Sequence, residues 1–273
     1  MGHWAKSLFG KENFESTGLV IAGTNPQEFE KRILSLFDKV ISSKDNVYHG
    51  HLVEKDGKQY PIVFNVYGAP AMLDVLTEMH DGGCRNVLFI GYAYGGYRQN
   101  LGVGSIVIPN MVYHFDGIYS TLDPTRLLAT PDKKLTALVK KFFNRQGIEY
   151  HVGPNISVPA VTFQLPHANK RYRRIKPLTV EMELASCLSR SRDIGVRATG
   201  ILIISDNRSS SIGDETKREL RHNAKTRVLT SLIENIKLFN LPAPQLKKEF
   251  SIDKHLASII EDPEDITNVY RKK

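Results

Sequence analysis

Short apolar, β-branched runs that stop at a glycine or an acid, with helical patterns between them, constrain this chain most. Leu19-Val20-Ile21-Ala22 stops at Gly23-Thr24-Asn25-Pro26, and Phe29, Ile33, Leu36 and Phe37 then recur at helical spacing. Val87-Leu88-Phe89-Ile90 stops at the Gly-rich stretch Gly91-Tyr92-Ala93-Tyr94-Gly95-Gly96, and the run from Thr199 to Ile204 stops at Ser205-Asp206. Strand, turn and helix in alternation build an α/β sheet. Open α/β sheets hold ligands just past the carboxyl ends of their strands. Asp206 stands at such a place. Glu181 and Glu183 open the helical pattern Val180, Leu184, Cys187, Leu188 that leads into the same strand.

The remaining segments fit a mixed sheet. Asp56-Gly57 between Val53 and Ile62-Val63-Phe64 is a hairpin signal. Gly68-Ala69-Pro70 starts a helix bearing Met72, Val75, Leu76 and Met79, and Gly82-Gly83 stops it. Ser105–Pro109 reads as a strand, 113–133 as loop, and 152–163 as extended. Leu135, Leu138, Val139, Phe142 and Phe143 mark one amphipathic helix; Leu220, Ala224, Val228, Leu232, Ile233 and Ile236 mark a longer one. Residues 1–17 are an arm or short helix, and 241–273 an extension.

A length of 273 residues at 41% apolar content suits one large domain. Cys84 and Cys187 are too few for a disulfide framework, which points to a reducing, cytoplasmic setting. No run is long enough to span a membrane, and the first residues lack a signal-peptide core. The net charge of +8 is scattered apart from Lys170-Arg171-Tyr172-Arg173-Arg174 and Arg271-Lys272-Lys273, and no nucleic-acid motif accompanies it. His3, His49, His51, His114 and His167 lack metal-ligand spacing, so no metal site is expected.

Five stretches in this order resemble the nucleoside phosphorylase/nucleosidase superfamily over roughly residues 18–237. They are Gly68-Ala69-Pro70, Gly91 to Gly96, Val103-Gly104-Ser105-Ile106-Val107-Ile108, Val180-Glu181-Met182-Glu183 and Ile204-Ser205-Asp206. The resemblance implies a domain over 18–240, built as a three-layer α/β/α sandwich with a mixed, partly barrel-like sheet, in a homo-oligomer (dimer, trimer or hexamer). It implies that Glu183 holds the ribose hydroxyls, Met182 lies under the sugar, and Glu181 fixes that turn. Phe163 would stack on the base, and Asp206 would protonate or hydrogen-bond purine N7 as the base leaves. Gly91, Tyr92 and Ser205 fall within the same motifs and join the substrate-binding set. No cofactor is implied, beyond phosphate as co-substrate in a phosphorylase.

Two departures concern the nucleophile. The family's phosphorylases follow the first strand with Gly-Asp-Pro-x-Arg, whereas this chain has Gly23-Thr24-Asn25-Pro26-Gln27-Glu28. A second arginine, expected near the end of the strand before the Gly-rich stretch, is replaced by Phe89. A phosphate dianion buried without cations would carry a desolvation penalty of several kcal/mol. Glu28 stands where the nucleosidase branch has its water-activating carboxylate. The expectation is therefore hydrolysis of a purine ribosidic bond, with Glu28 and Asp206 as catalytic groups. A phosphorylase using Lys31, Arg32, Arg98 or a neighbouring subunit's cation is the alternative, and a nucleoside-binding protein with decayed catalysis is the second.

Overall fold

The computed structural model describes residues 3–14, 16–45, 47–96, 101–123, 125–163 and 170–244. In chain order the elements begin with α1 (His3–Phe9), β1 (Thr17–Ala22), α2 (Gln27–Leu34), β2 (Lys39–Asp45), β3 (His49–Lys55), β4 (Lys58–Val66) and α3 (Ala69–Asp81). There follow β5 (Asn86–Tyr94), β6 (Ile106–His114), α4 (Ile118–Leu122), β7 (Leu128–Ala129), α5 (Lys133–Arg145), β8 (His151–Ser157) and α6 (Lys170–Ile175). The last are β9 (Thr179–Glu181), α7 (Leu184–Asp193), β10 (Arg197–Asp206) and α8 (Arg218–Glu234).

The ten strands among the described residues join one sheet in the order β10-β6-β8-β9-β5-β1-β4-β3-β2, with β7 beside β6. β1 runs parallel to both β4 and β5, and β5 parallel to β10. β10 also pairs antiparallel with β6, which continues through β8 and β9 back to β5. Strands β5, β10, β6, β8 and β9 thus close into a five-stranded barrel-like ring. Strands buried on both faces carry continuous apolar runs, as β1 and β10 do.

Helices cover both faces, which makes the three layers. Leu8, Met72, Val75, Met79, Leu184 and Leu188 from α1, α3 and α7 pack on one side. Phe29, Ile33, Val139, Phe142, Val228 and Leu232 from α2, α5 and α8 pack on the other. The Asp56-Gly57 hairpin forms as expected: Lys55 pairs with Lys58, and φ of 51° and 71° at the two turn residues is the type I′ geometry.

Several sequence expectations need correction. β5 does not stop at Ile90. Gly91, Tyr92 and Ala93 pair with Leu202, Ile203 and Ile204, so the parallel ladder to β10 carries the strand to Tyr94. Glu181 does not open a helix but ends β9, and Glu183 is the residue just before α7. The stretch read as loop holds the end of β6, α4 and β7, while 152–163 splits into β8 and a 3-10 turn at Val161–Phe163. α1 packs against α3, β2 and β3, with Leu8 and Phe9 buried. α8 exposes Leu220, whereas Arg221 and Lys225 are buried on the same helix as Val228, Leu229 and Leu232. Of the extension, Leu241 and Pro242 accept bonds from Asn86 Nδ2 (2.7 Å) and Arg197 Nε (3.0 Å); residues 245–273 lie outside the described residues.

Candidate active site

The β9–α7 corner is built around a buried carboxylate. Glu181 accepts from Asn155 Nδ2 at 2.8 Å, from the Ser157 hydroxyl, and from the backbone N–H groups of Glu183 and Leu184 at 2.7 Å each. The two N–H bonds satisfy donors that the start of α7 leaves without helical partners. Thr179 locks the Asn155 amide by donating to its Oδ1 at 2.8 Å, and Ser157 Oγ accepts from Ala185 N at 2.8 Å. Burial pushes the Glu181 carboxyl up and the four donors oppose that. Its oxygens are fully engaged by the protein, which makes Glu181 the brace of the corner.

Glu183 is what the brace positions. Its Oε1 accepts from Gly68 N at 2.7 Å and its Oε2 from Met182 N at 3.3 Å. Gly68 has φ 83°, a conformation that favours glycine, and this aims its N–H from the start of α3 at the carboxylate. Burial, then the charge of Glu181, pushes the Glu183 carboxyl up to about 8. Met182 is buried among Ile156, Val158, Tyr172 and Val180.

Asp206 ends β10. Its Oδ1 accepts from the Ser205 hydroxyl at 2.5 Å, and Ser205 Oγ lies 3.3 Å from Ala93 O. Burial raises the Asp206 carboxyl, against the Ser205 bond and the nearby Arg221 charge. Tyr94 of β5 pairs with Val180 on one side and with Asp206 on the other. The β9 corner and Asp206 are therefore two strand spacings apart, roughly 10 Å, across the end of β5. That gap separates the two buried carboxyls, Glu183 and Asp206.

The third part of the site is the turn after β1, and here the sequence reading missed a residue. Lys225 of α8 is fully buried, and its Nζ donates to Asn25 Oδ1 at 2.7 Å and to Ala22 O at 3.3 Å. The nitrogen lies 4.2 Å from the Tyr92 ring centroid and 5.4 Å from that of Phe29. Burial lowers its pKa to about 7, and the charge of Glu183 acts the other way. The Tyr92 hydroxyl is 3.4 Å from His222 Nδ1 on the same helix. A lysine inside an otherwise apolar helical stripe reads as a solvated charge, so only its one-turn spacing from Arg221 and Leu229 hinted at this place.

Glu28 is exposed on the first turn of α2. The buried carboxylate of that helix is Glu30, 2.8 Å from His49 Nδ1 and 2.7 Å from His51 Nε2. Asn65 links this pair to the site: its Nδ2 is 3.1 Å from His49 Nδ1, and its Oδ1 accepts from Asn25 N at 2.8 Å. Among the described residues no group of three or more His, Cys, Asp or Glu side chains is arranged to hold a metal ion. No helix among them is long and apolar enough to cross a membrane. Gly91 is buried in β5, and Phe163 is 46% exposed in its 3-10 turn. Arg98 and His167 lie outside the described residues.

Comparison with known proteins accords with this fold. The sequence profile of the Phosphorylase superfamily matches residues 20–237. DeoD-type purine nucleoside phosphorylases of two Clostridium perfringens strains are 26% identical over 176 residues, which is 63% of this chain and 73% of theirs. The uridine phosphorylase of Vibrio fischeri ES114 superposes with a TM-score of 0.67 at 18% identity, over 80% of this chain and 91% of that one. The 5'-methylthioadenosine/S-adenosyl homocysteine nucleosidase of Campylobacter jejuni gives 0.69 at 12% identity, over 81% and 99%. With the profile spanning most of its length and the same architecture in both solved structures, the chain belongs to the phosphorylase superfamily.

Proposed function

We propose that this protein cleaves the N-ribosidic bond of a purine nucleoside or a derivative, with water as the nucleophile. One observation carries the reading. Glu183 and Asp206, two carboxylates raised by burial, lie at element ends on either side of the end of β5, while Lys225 of α8 is buried against Asn25 of the turn after β1 and Tyr92 of β5, the turn and the strand where the two arginines were expected. Cleavage passes through an oxocarbenium-like state. Glu183 accepts from the ribose hydroxyls, and Met182 closes the underside of the sugar. Asp206, its carboxyl raised by its desolvated setting, gives a proton to the leaving base, a contribution of about 10²–10⁴-fold. Phe163, exposed in its 3-10 turn, supplies a face for the base.

The named relatives support the bond class and divide on the nucleophile and the base. Phosphorolysis is the second reading, favoured by the buried cation at Lys225 and by the names of the curated relatives. The test is purified protein with adenosine, inosine, methylthioadenosine and AMP, with and without inorganic phosphate. Base and free ribose released without phosphate is the expected result. Strict dependence on phosphate, with ribose 1-phosphate as product, refutes water as the nucleophile.

A further inference from the structure

Glu28, the carboxylate in the position expected to activate water, is exposed on α2, whereas the group buried at the same turn is an amine. We infer that the side chain of Lys225 is the general base that takes the proton from the attacking water. The inference rests on the hydrolytic reading above.

Stereochemistry is the first support. A neutral amine has two N–H donors and one lone pair. The two protein acceptors that hold Nζ, Asn25 Oδ1 and Ala22 O, match those two donors, and no third hydrogen bond among the described residues engages the lone pair. Position is the second. Ala22 and Asn25 flank Gly23 at the carboxyl end of β1, Tyr92 closes the β5 side, and Glu183 lies near enough for its charge to act on Nζ. The amine therefore borders the sugar's end of the site rather than that of the base.

The surroundings are the third. From β1 and α2 the amine meets a carbonyl, an amide and the ring of Phe29. The titratable and charged groups around it are Glu183 from the β9–α7 corner, Tyr92 from β5, and Arg221 and His222 on its own helix. Glu183 is itself pushed up to about 8, which weakens its hold on the Lys225 charge. Desolvation in this position suits a lysine to general-base work near neutral pH.

The step balances. The water oxygen bonds to the anomeric carbon as the C–N bond breaks. The bond's electron pair leaves with the base, which takes the Asp206 proton at N7. The water proton passes to Nζ, so the products are ribose and free base. Lys225 then returns its proton to solvent and Asp206 regains one.

The experiment compares kcat against pH for wild type, Lys225→Met and Lys225→Arg, without phosphate and with it. Thermal melts confirm folding. In parallel, the Nζ resonance of Lys225 is followed in 15N-lysine-labelled protein and assigned by its loss in the Met variant. The expected result is a loss of about 10²–10⁴-fold in kcat for both variants, since arginine keeps its proton. KM changes little, the acid limb of the wild-type profile disappears, and Nζ titrates near neutrality. An acid limb and rate unchanged in Lys225→Met, or an Nζ that stays protonated to pH 9, overturns the inference and leaves cleavage standing. Phosphate-dependent turnover retained by Lys225→Arg makes the lysine an anion partner and overturns both. No base release by wild type from any of the four substrates refutes the cleavage reading, and the inference with it.

Discussion

Replacing Glu181 by glutamine exchanges one carboxylate oxygen for an NH₂ and keeps the volume. All four neighbours of the carboxylate are donors: the Asn155 amide, the Ser157 hydroxyl and the N–H groups of Glu183 and Leu184. If the new carbonyl oxygen faces the two N–H groups, the new NH₂ meets Asn155 Nδ2 and Ser157. Asn155 can turn its amide only if the Thr179 hydroxyl, which donates to its Oδ1, becomes the acceptor of its Nδ2 instead. If the side chain flips, two N–H groups at the start of α7 lose their acceptor. Without that turn of Asn155, either arrangement leaves about two buried donors unsatisfied, at ~1–3 kcal/mol each. The expected loss is therefore ~2–6 kcal/mol. Urea unfolding at pH 7.5, with the slope unchanged, measures it as a fall in midpoint. Glutamine also imitates a protonated glutamate. A variant within ~0.5 kcal/mol of wild type would show that the corner accommodates an NH₂ at this place, and would refute the argument that all four donors need a carboxylate oxygen.

Three other outcomes follow from the same contacts. The Glu183 carboxyl rises from 4.5 to about 8 on folding, so between those values the unfolded chain releases a proton that the native state keeps. Stability must fall as pH rises through that window. Glu183→Gln flattens the decline, and parallel urea midpoints for the two proteins from pH 5 to 8.5 would count against it. In Gly200→Ala the new Cβ would lie 2.5 and 2.7 Å from the two methyl carbons of buried Leu184. Overpacking costs ~1–3 kcal/mol, and because Leu184 follows Glu183, kcat should fall in a protein that remains folded; unchanged stability and rate would show that α7 yields freely. Asp132→Ala removes both the cap on Leu135 N (2.8 Å) and the partner of Arg197 NH1 (2.8 Å). A cap is worth ~1 kcal/mol and breaking a buried ion pair ~3–5 kcal/mol; because Asp132 is partly exposed and Arg197 keeps its bond to Pro242 O, a loss below their sum of ~4–6 kcal/mol, about 2–5 kcal/mol, is expected by thermal or urea unfolding, and less than ~1 kcal/mol would mean that Arg197 finds water instead.

The parts of the fold written in local chemistry could be read from the sequence. Asp56-Gly57 can make few other turns, and the apolar runs of β1 and β10 suit strands covered on both faces. β2 escaped because its Lys39-Val40-Ile41-Ser42-Ser43-Lys44-Asp45 pattern lies at the sheet's edge, where only pairing to β3 makes it a strand. The ladder to β10, invisible locally, likewise carries β5 through glycine and alanine to Tyr94. At the site, Glu183 and Asp206 were legible as acids at element ends, whereas the four-donor brace on Glu181 needs Asn155 and Ser157 from another strand. Lys225 was the least legible: a charged residue reads as solvent-facing, and what buries it lies about 200 positions away along the chain.

The closure of the sheet also determines where this protein can recruit its own kind wrongly. Among the described residues β10, the other terminal strand of the path, returns to β5, so β2 is the long strand left with one unpaired flank. An unpaired strand flank is a template for aggregation. Lys39, Lys44 and Asp45 are exposed along β2, and Ser42 ties it to the Phe9 carbonyl of α1. Charge and a covering helix thus act as gatekeepers at the position where a tenth strand would otherwise invite an eleventh.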